Sequence, residues 1–265
     1  MSELETNPAF EYIDGLAATV SERLKIDLNV DPIKEFSHPA FGNLGWLKVI
    51  DGGDHPEVLK IIRLRLNFAP VGMEANAVHV ITKPDSVIPH AVIEAIFHDP
   101  KVETPFRPAH DGPPQIGFFM NSVNRVDLGV NLKYMQHIYA AYEESLKAIL
   151  EDEAIRVAPL PRIQLAAMSP WAAPITCPWE KFDQGKALAD LYMNTTLDLI
   201  DNGMPEGVVS DEEKARSAYR DKLNRPTYLD REVDHIWGTM EKMIGPEDTE
   251  KLMGVLTSQD VETSF

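Results

Sequence analysis

Apolar residues alternate with polar ones from 77 to 83, and β-branched residues dominate 88–97, so NAVHVITKPDSVIPHAVIEAIF (76–97) predicts two strands. Pro84-Asp85-Ser86 between them has turn chemistry, which makes the pair an antiparallel hairpin. Pairing Lys83 with Ile88 sets His79 opposite Val92. His79, His90 and Glu94 then share one face, with Glu94 diagonal to His79 at roughly 7–8 Å, a gap that suits a flat ligand. A slip of one residue would send one strand's set to the opposite face.

Upstream, Phe10, Ile13, Leu16, Ala17, Val20 and Leu24 fall at helical spacing and predict an amphipathic helix over 9–28. A loop with Pro32, Pro39, Gly42 and Gly45 follows. Strands are expected at 46–50 and 58–68 around the turn Asp51-Gly52-Gly53-Asp54. Residues 99–114 are proline-rich and irregular, and 115–121 (QIGFFMN) is a fifth strand. The pattern turns helical over 132–152, with Leu132, Met135, Ile138, Tyr142, Leu146 and Ile149 on one stripe. Residues 162–168 read as a sixth strand, ended by Ser169-Pro170-Trp171. Helices are then expected at 182–200, 211–223, 228–244 and 246–256. Ser210 with Glu213 forms a capping box, and Gly245-Pro246 is a stop. Strands first and helices afterwards is an α+β pattern, and no repeat or linker divides the chain, so 1–265 is expected to be a single domain.

Composition narrows the chemistry. With 44% hydrophobic residues in 265, the chain can bury a sizeable core. A net charge of −17 argues against nucleic acid and against an anionic membrane surface. The N-terminus lacks a basic region followed by an apolar core, and no apolar run reaches membrane-spanning length. The mature chain is therefore expected to be soluble and intracellular. One cysteine, Cys177, excludes an intrachain disulfide and a cysteine metal cluster, and it reads as a small buried hydrophobe. Phosphate-loop, dinucleotide, zinc and serine-hydrolase motifs are all absent, and the eight histidines show no metal-ligand spacing. Any catalysis then falls to side-chain acids and bases. Alone, a strand His is ordinarily structural and a strand Glu ordinarily solvated. Glu94 among Val92, Ile93, Ala95 and Ile96 instead needs a partner or a raised pKa. Two basic clusters, Lys60/Arg63/Arg65 and Lys214/Arg216/Arg220/Lys222, are either a patch for an acidic partner or solvated faces.

Read with its flanks, the hairpin resembles the ferredoxin-dependent bilin reductases, relatives of the red chlorophyll catabolite reductases. The carrying residues are His79 with Pro84 five positions on, and Pro89 followed at that same interval by Glu94. NRVDLGVNLKYMQHIY (124–139), AMSPW (167–171) and AYRDKLNRPTYLDREVDHIWG (218–238) continue the likeness in order, over roughly two thirds of the chain.

The resemblance implies a three-layer α/β/α sandwich with a central antiparallel sheet. An open-chain tetrapyrrole, biliverdin IXα or a close relative, would lie between the sheet and the C-terminal helices. It implies no bound metal or flavin. Electrons would arrive singly from reduced ferredoxin (2Fe-2S) or flavodoxin through bilin radicals, in the cytoplasm or a plastid stroma. By position, Glu94 matches the central proton-donating carboxylate and His79 its partner. Asn224 would orient substrate or a water, with His90, Val92 and Ser169 lining the substrate. Arg156, Arg162 and Arg225 are the candidate cations for the two propionates.

The chain also departs from the family. Glu94 stands where most bilin reductases have Asp and is more like the chlorophyll-catabolite branch, so regiospecificity stays open. Leu223-Asn224-Arg225-Pro226 lacks the family's second carboxylate, and a second histidine is replaced near Arg63 or Arg65. The acidic net charge sits awkwardly with an acidic ferredoxin, whose docking would rest on one of the basic clusters. A chlorophyll-derived linear tetrapyrrole, a non-catalytic tetrapyrrole carrier and a purely structural α+β protein are the alternatives.

Overall fold

The computed structural model describes residues 7–68, 72–103, 109, 111–158, 160–261 and 265. Its strands are β1 (Lys34–His38), β2 (Gly42–Asp51), β3 (Val58–Phe68), β4 (Met73–Thr82), β5 (His90–His98), β6 (Gln115–Val123), β7 (Arg156–Val157) and β8 (Ala173–Pro178). They form one antiparallel sheet in the order β1-β2-β3-β4-β5-β6-β8-β7. The helices are α1 (Pro8–Leu24), α2 (Leu132–Ile138), α3 (Ala140–Leu150), α4 (Arg162–Ala167), α5 (Phe182–Asn202), α6 (Asp211–Tyr228), α7 (Ile236–Ile244) and α8 (Pro246–Thr257).

Period-two burial splits the sheet between two helical layers. Ile61, Val78, Val80, Ile93 and Met120 face α1, α2, α3 and α5, while Ile62, Leu66 and Ile81 face α7 and α8. The result is the expected α+β, three-layer α/β/α architecture. On the first side, Gly185 lets α5 sit directly on the sheet, where a Cβ would lie 2.3 Å from the Phe118 ring. The central hairpin holds the expected register, with His79 opposite Val92. Thr82 Oγ1 donates to the Ile88 carbonyl (2.8 Å) and fastens its turn.

Several expectations are corrected. The opening helix stops at Leu24, where Lys25 adopts the left-handed conformation. A short edge strand, β1, lies in the stretch read as loop. Residues 132–152 form two helices broken at Tyr139 rather than one. Residues 162–168 are helix α4, not a strand: Pro161 precedes it, and Gln164 and Met168 are buried four residues apart, a helical period. The strand next to β6 is instead β8, APITCP, whose prolines disguised it. Finally, α6 continues through Pro226 to Tyr228, so 228–244 is not one helix and a loop of seven residues separates α6 from α7. Ser210 caps α6 as expected, its hydroxyl accepting from the Glu213 N–H (3.2 Å). Of the irregular stretch 99–114, residues 104–108 and 110 lie outside the described residues.

A buried polar cluster ties the second helical layer to the sheet. Asp221 on α6 accepts from His90 Nε2 on β5 (2.7 Å), and Arg225 grips its carboxylate through Nε (3.0 Å) and Nη2 (2.7 Å). The other Arg225 nitrogen donates to the carbonyls of Leu256 and Ser258 at the end of α8. Arg125 donates to Thr82 Oγ1 and to the carbonyls of Lys83 and Pro84 in the hairpin turn. Lys60, fully buried, adds bonds to the carbonyls of Val255 and Asp260 (both 2.8 Å). Burial, then the positive charges of Arg125 and Arg225, push His90 down to about 3, so the imidazole is neutral. Burial opposes ionisation of Asp221, but the bonds from His90 and Arg225 and the charge of Arg125 hold it well below the usual carboxylate range.

Replacing Asp221 by Ala leaves two buried guanidiniums short of their counter-ion. Unfolding in urea is expected to show a loss of about 3–5 kcal/mol. Lys147→Ala, which breaks an exposed pair with Glu151, is expected to leave the midpoint unchanged.

Candidate active site

Between the sheet and the C-terminal helices lies a cavity of about 260 Å³. Its floor is the outward row of β3 to β6, including Leu64, Ala77, His79, Val92, Glu94 and Phe119. Its roof comes from Tyr228 and Leu229, Asp234 in the α6–α7 loop, Trp237 and Met240 on α7, and Leu252 and Leu256 on α8. Gln164 and Met168 close one side. The lining is overwhelmingly apolar, with a few convergent polar groups, as small-molecule sites commonly are.

His79 and Glu94 meet inside it. His79 Nε2 lies 3.3 Å from Glu94 Oε1, the histidine 6% exposed and the carboxylate side chain 31%. The contact follows from the register, because Glu94 is the diagonal neighbour of His79 across the β4–β5 ladder. An imidazole this close to a carboxyl can pass it a proton.

Asp234 is the residue the sequence pattern missed. It enters the roof just before α7 and accepts from the Ile236 N–H (3.2 Å). Burial first, then the charge of Glu94, push its pKa up to about 6, against the bonds from Ile236 and Gln164. Two carboxylates thus border one apolar cavity, and the one in the roof holds its proton up to about pH 6. The only sequence signal was the acid-rich run LDREVD, in which nothing marks Asp234 from Asp230.

The remaining expected site residues scatter. Val92 lines the cavity. His90 shares its face but is locked against Asp221 with no exposed surface. Arg225 is fully buried in that cluster, so its expected place at a pocket mouth is corrected. Arg156 is exposed on the outermost strand and Arg162 at the start of α4; neither borders the cavity. Ser169 is buried and accepts from the Trp171 N–H (3.1 Å). Asn224 lies on α6, its Nδ2 donating to the Asn124 carbonyl (3.4 Å), and borders a separate, more open cleft of about 750 Å³.

Arg63 and Arg65 point to the opposite face of the sheet, where both pair with Asp14 of α1. The β3 residue that lies across from His79 is Ile62. The basic clusters are partly taken up in ion pairs, with Lys222 exposed. Lys60 is buried, and Lys214, Arg216 and Arg220 pair with Asp211, Glu212 and Glu213 on their own helix. Cys177 is buried in the core, as expected.

No protein-family model matches the chain, and no curated protein matches it by sequence. Among solved structures, phytochromobilin synthase from tomato in complex with biliverdin is similar over 96% of this chain and 84% of that one. The TM-score is 0.68 at 12% identity. This chain has the bilin-reductase fold. That fold accounts for the antiparallel sheet between helical layers, and the ordered resemblance along the sequence agrees with it. No helix among the described residues is long and apolar enough to cross a membrane.

The raised pKa of Asp234 has a stability consequence with a definite sign. The folded state holds this proton more tightly than the unfolded chain, so stability is lost as pH rises from about 4 through about 6. Asp234→Asn removes that loss. Thermal unfolding of the variant is expected to match wild type near pH 4 and to exceed it at pH 7.5, by at most about 3 kcal/mol. Parallel melting curves at the two pH values check this.

Proposed function

We propose that the protein reduces an open-chain tetrapyrrole, biliverdin IXα or a close relative, with single electrons from reduced ferredoxin or flavodoxin and protons from its own side chains. The observation that carries this reading is an apolar cavity with the His79–Glu94 pair on its floor and Asp234 in its roof, in the fold of a protein crystallised with biliverdin. Reducing one double bond takes two electrons and two protons. Each electron added to a conjugated bilin makes it more basic, so a carboxyl group poised at the π-system captures the charge by donating its proton. Glu94 is the central donor, with His79 its proton relay, and Asp234 the second donor from the opposite wall. An apolar lining suits such a role, since it disfavours water around radical intermediates.

Glu94 favours a second substrate as well. Its longer side chain, where bilin reductases commonly carry Asp, is the feature shared with the chlorophyll-catabolite branch, so a chlorophyll-derived linear tetrapyrrole is the alternative. Competition against biliverdin separates the two. The carrier alternative, motivated by the carboxylate missing at Asn224, is separated by Glu94→Gln: a carrier binds as before and has no activity to lose.

The test mixes the protein with biliverdin and then reduced ferredoxin under anaerobic conditions while the visible spectrum is followed. Transient radical bands and a blue-shifted product are expected, with chromatography naming the product. A bound spectrum that never changes on reduction sinks the biliverdin reductase reading. Glu94→Gln is expected to bind biliverdin as wild type does and to turn over roughly 10²–10⁴-fold more slowly.

A further inference from the structure

Buried side-chain polar atoms without a partner are rare, and each asks for an explanation. Arg63, Arg65, Asn76, Arg125 and Thr196 contribute one such atom each, and none of these side chains borders the cavity. Two others stand on the cavity side of the sheet. Asn121 does not itself line the cavity but lies beside Val92, which does; it is 1% exposed, and both its Nδ2 and its Oδ1 lack a hydrogen-bond partner among the described residues. Trp237 is 4% exposed, lines the cavity roof, and its indole N–H likewise has no partner.

The register fixes where Asn121 looks. Its neighbours Met120 and Ser122 face the α1–α5 side, Met120 in that core and Ser122 bonded to Tyr142, so Asn121 faces the other way with Phe119 and Val123. Across the ladders, His79, Val92 and Asn121 form one row on three adjacent strands. Asn121 therefore sits about 10 Å from His79 and diagonal to Glu94. The β6–β8 ladder ends at Met120, one residue short of it. Ala167, at the end of α4, packs over this spot instead, and the adjoining Met168 separates the cavity from the 750 Å³ cleft. Met168 borders both voids, so a ligand reaching from the cavity into the cleft would pass its flexible side chain, on the side of the cavity where Val92 stands.

Resting on the bilin reading above, we infer that Asn121 is a substrate-positioning residue whose amide pairs with a terminal lactam of the tetrapyrrole, and that the Trp237 indole donates to the same ligand from the roof. The chemistry matches atom for atom. A lactam presents an N–H beside a C=O, and the primary amide returns one acceptor and one donor in a two-bond pair. A site whose buried polar groups are met only by the correct ligand discriminates strongly against analogues that lack the complement. The pairing fixes which end of the ligand reaches Glu94, and so which double bond is protonated.

Asn121→Leu keeps the volume and deletes both unmet atoms, so its melting temperature is expected to equal or exceed that of wild type. Its Kd for biliverdin, read by absorbance titration, is expected to rise about tenfold or more. Wild type is expected to prefer biliverdin over its O-methyl lactim ether by a similar factor, and Asn121→Leu to lose that preference. Trp237→Phe, which keeps an aromatic ring and deletes only the indole N–H, is expected to weaken biliverdin binding by itself. Equal binding of biliverdin by wild type and Asn121→Leu overturns this inference alone. A melting temperature lowered by several degrees in Asn121→Leu also overturns it, since the amide would then be serving the fold. If wild type binds no biliverdin, the bilin reading falls and this inference falls with it.

Discussion

The cavity exists because one buried carboxylate, Asp221, holds its roof to its floor. Through His90 it reaches β5, through Arg225 the carbonyl end of α8, and beside it Arg125 reaches the hairpin turn. Two buried guanidiniums against one carboxylate leave an excess positive charge. The cluster tolerates it because backbone carbonyls of Lys83, Pro84, Leu256 and Ser258 accept the remaining N–H groups, two of them at the negative end of α8. An ion cluster this deep adds little net stability over an apolar equivalent, but it specifies a single way of docking α6 and α8 on the sheet. That docking leaves room above His79 and Glu94 instead of collapsing onto them.

The two faces of the sheet are built to different ends. Towards α1 and α5 the strands present a continuous apolar surface closed by Gly185 and the Phe118–Phe182 stack. Towards α7 and α8 the same alternation delivers His79, Glu94 and Asn121 among Leu, Ala, Val and Phe. The environment therefore works on its acids twice, by removing water and by placing one carboxylate within reach of the charge of another, and Asp234 shows both causes.

The sequence pattern carried what depends on nearest neighbours. A two-residue period and a Pro-Asp-Ser turn were enough to set the His79–Val92 register and hence the contact with Glu94. Ser210 and Glu213 announced the start of α6 by local hydrogen bonding alone. What depends on distant packing was not readable. Arg225 looks like any surface arginine until Asp221, four residues earlier on the same helix, is seen to be buried against His90. Residues 162–168 are apolar enough for a strand, and only the burial of Gln164 with Met168 against their surroundings shows the helix. Asp234 was hidden for a related reason: α6 runs through Pro226, which keeps Asn224 on the helix and away from the cavity, and nothing local marks Asp234 in the loop that follows.

The placement of the two cavity carboxylates on opposite walls bears on what the site can hold. Burial first, and then the charge of Glu94, keep the proton on Asp234 up to about pH 6. On the proposed reading, a flat conjugated ligand between them would exclude water and offer ring N–H groups to both. Ionised carboxylates would then be stabilised by those donors, while a ligand that accepts a proton relieves the repulsion outright. An inert apolar ligand would add desolvation without that relief, so on the proposed reading the two carboxylates would favour a ligand that can be protonated.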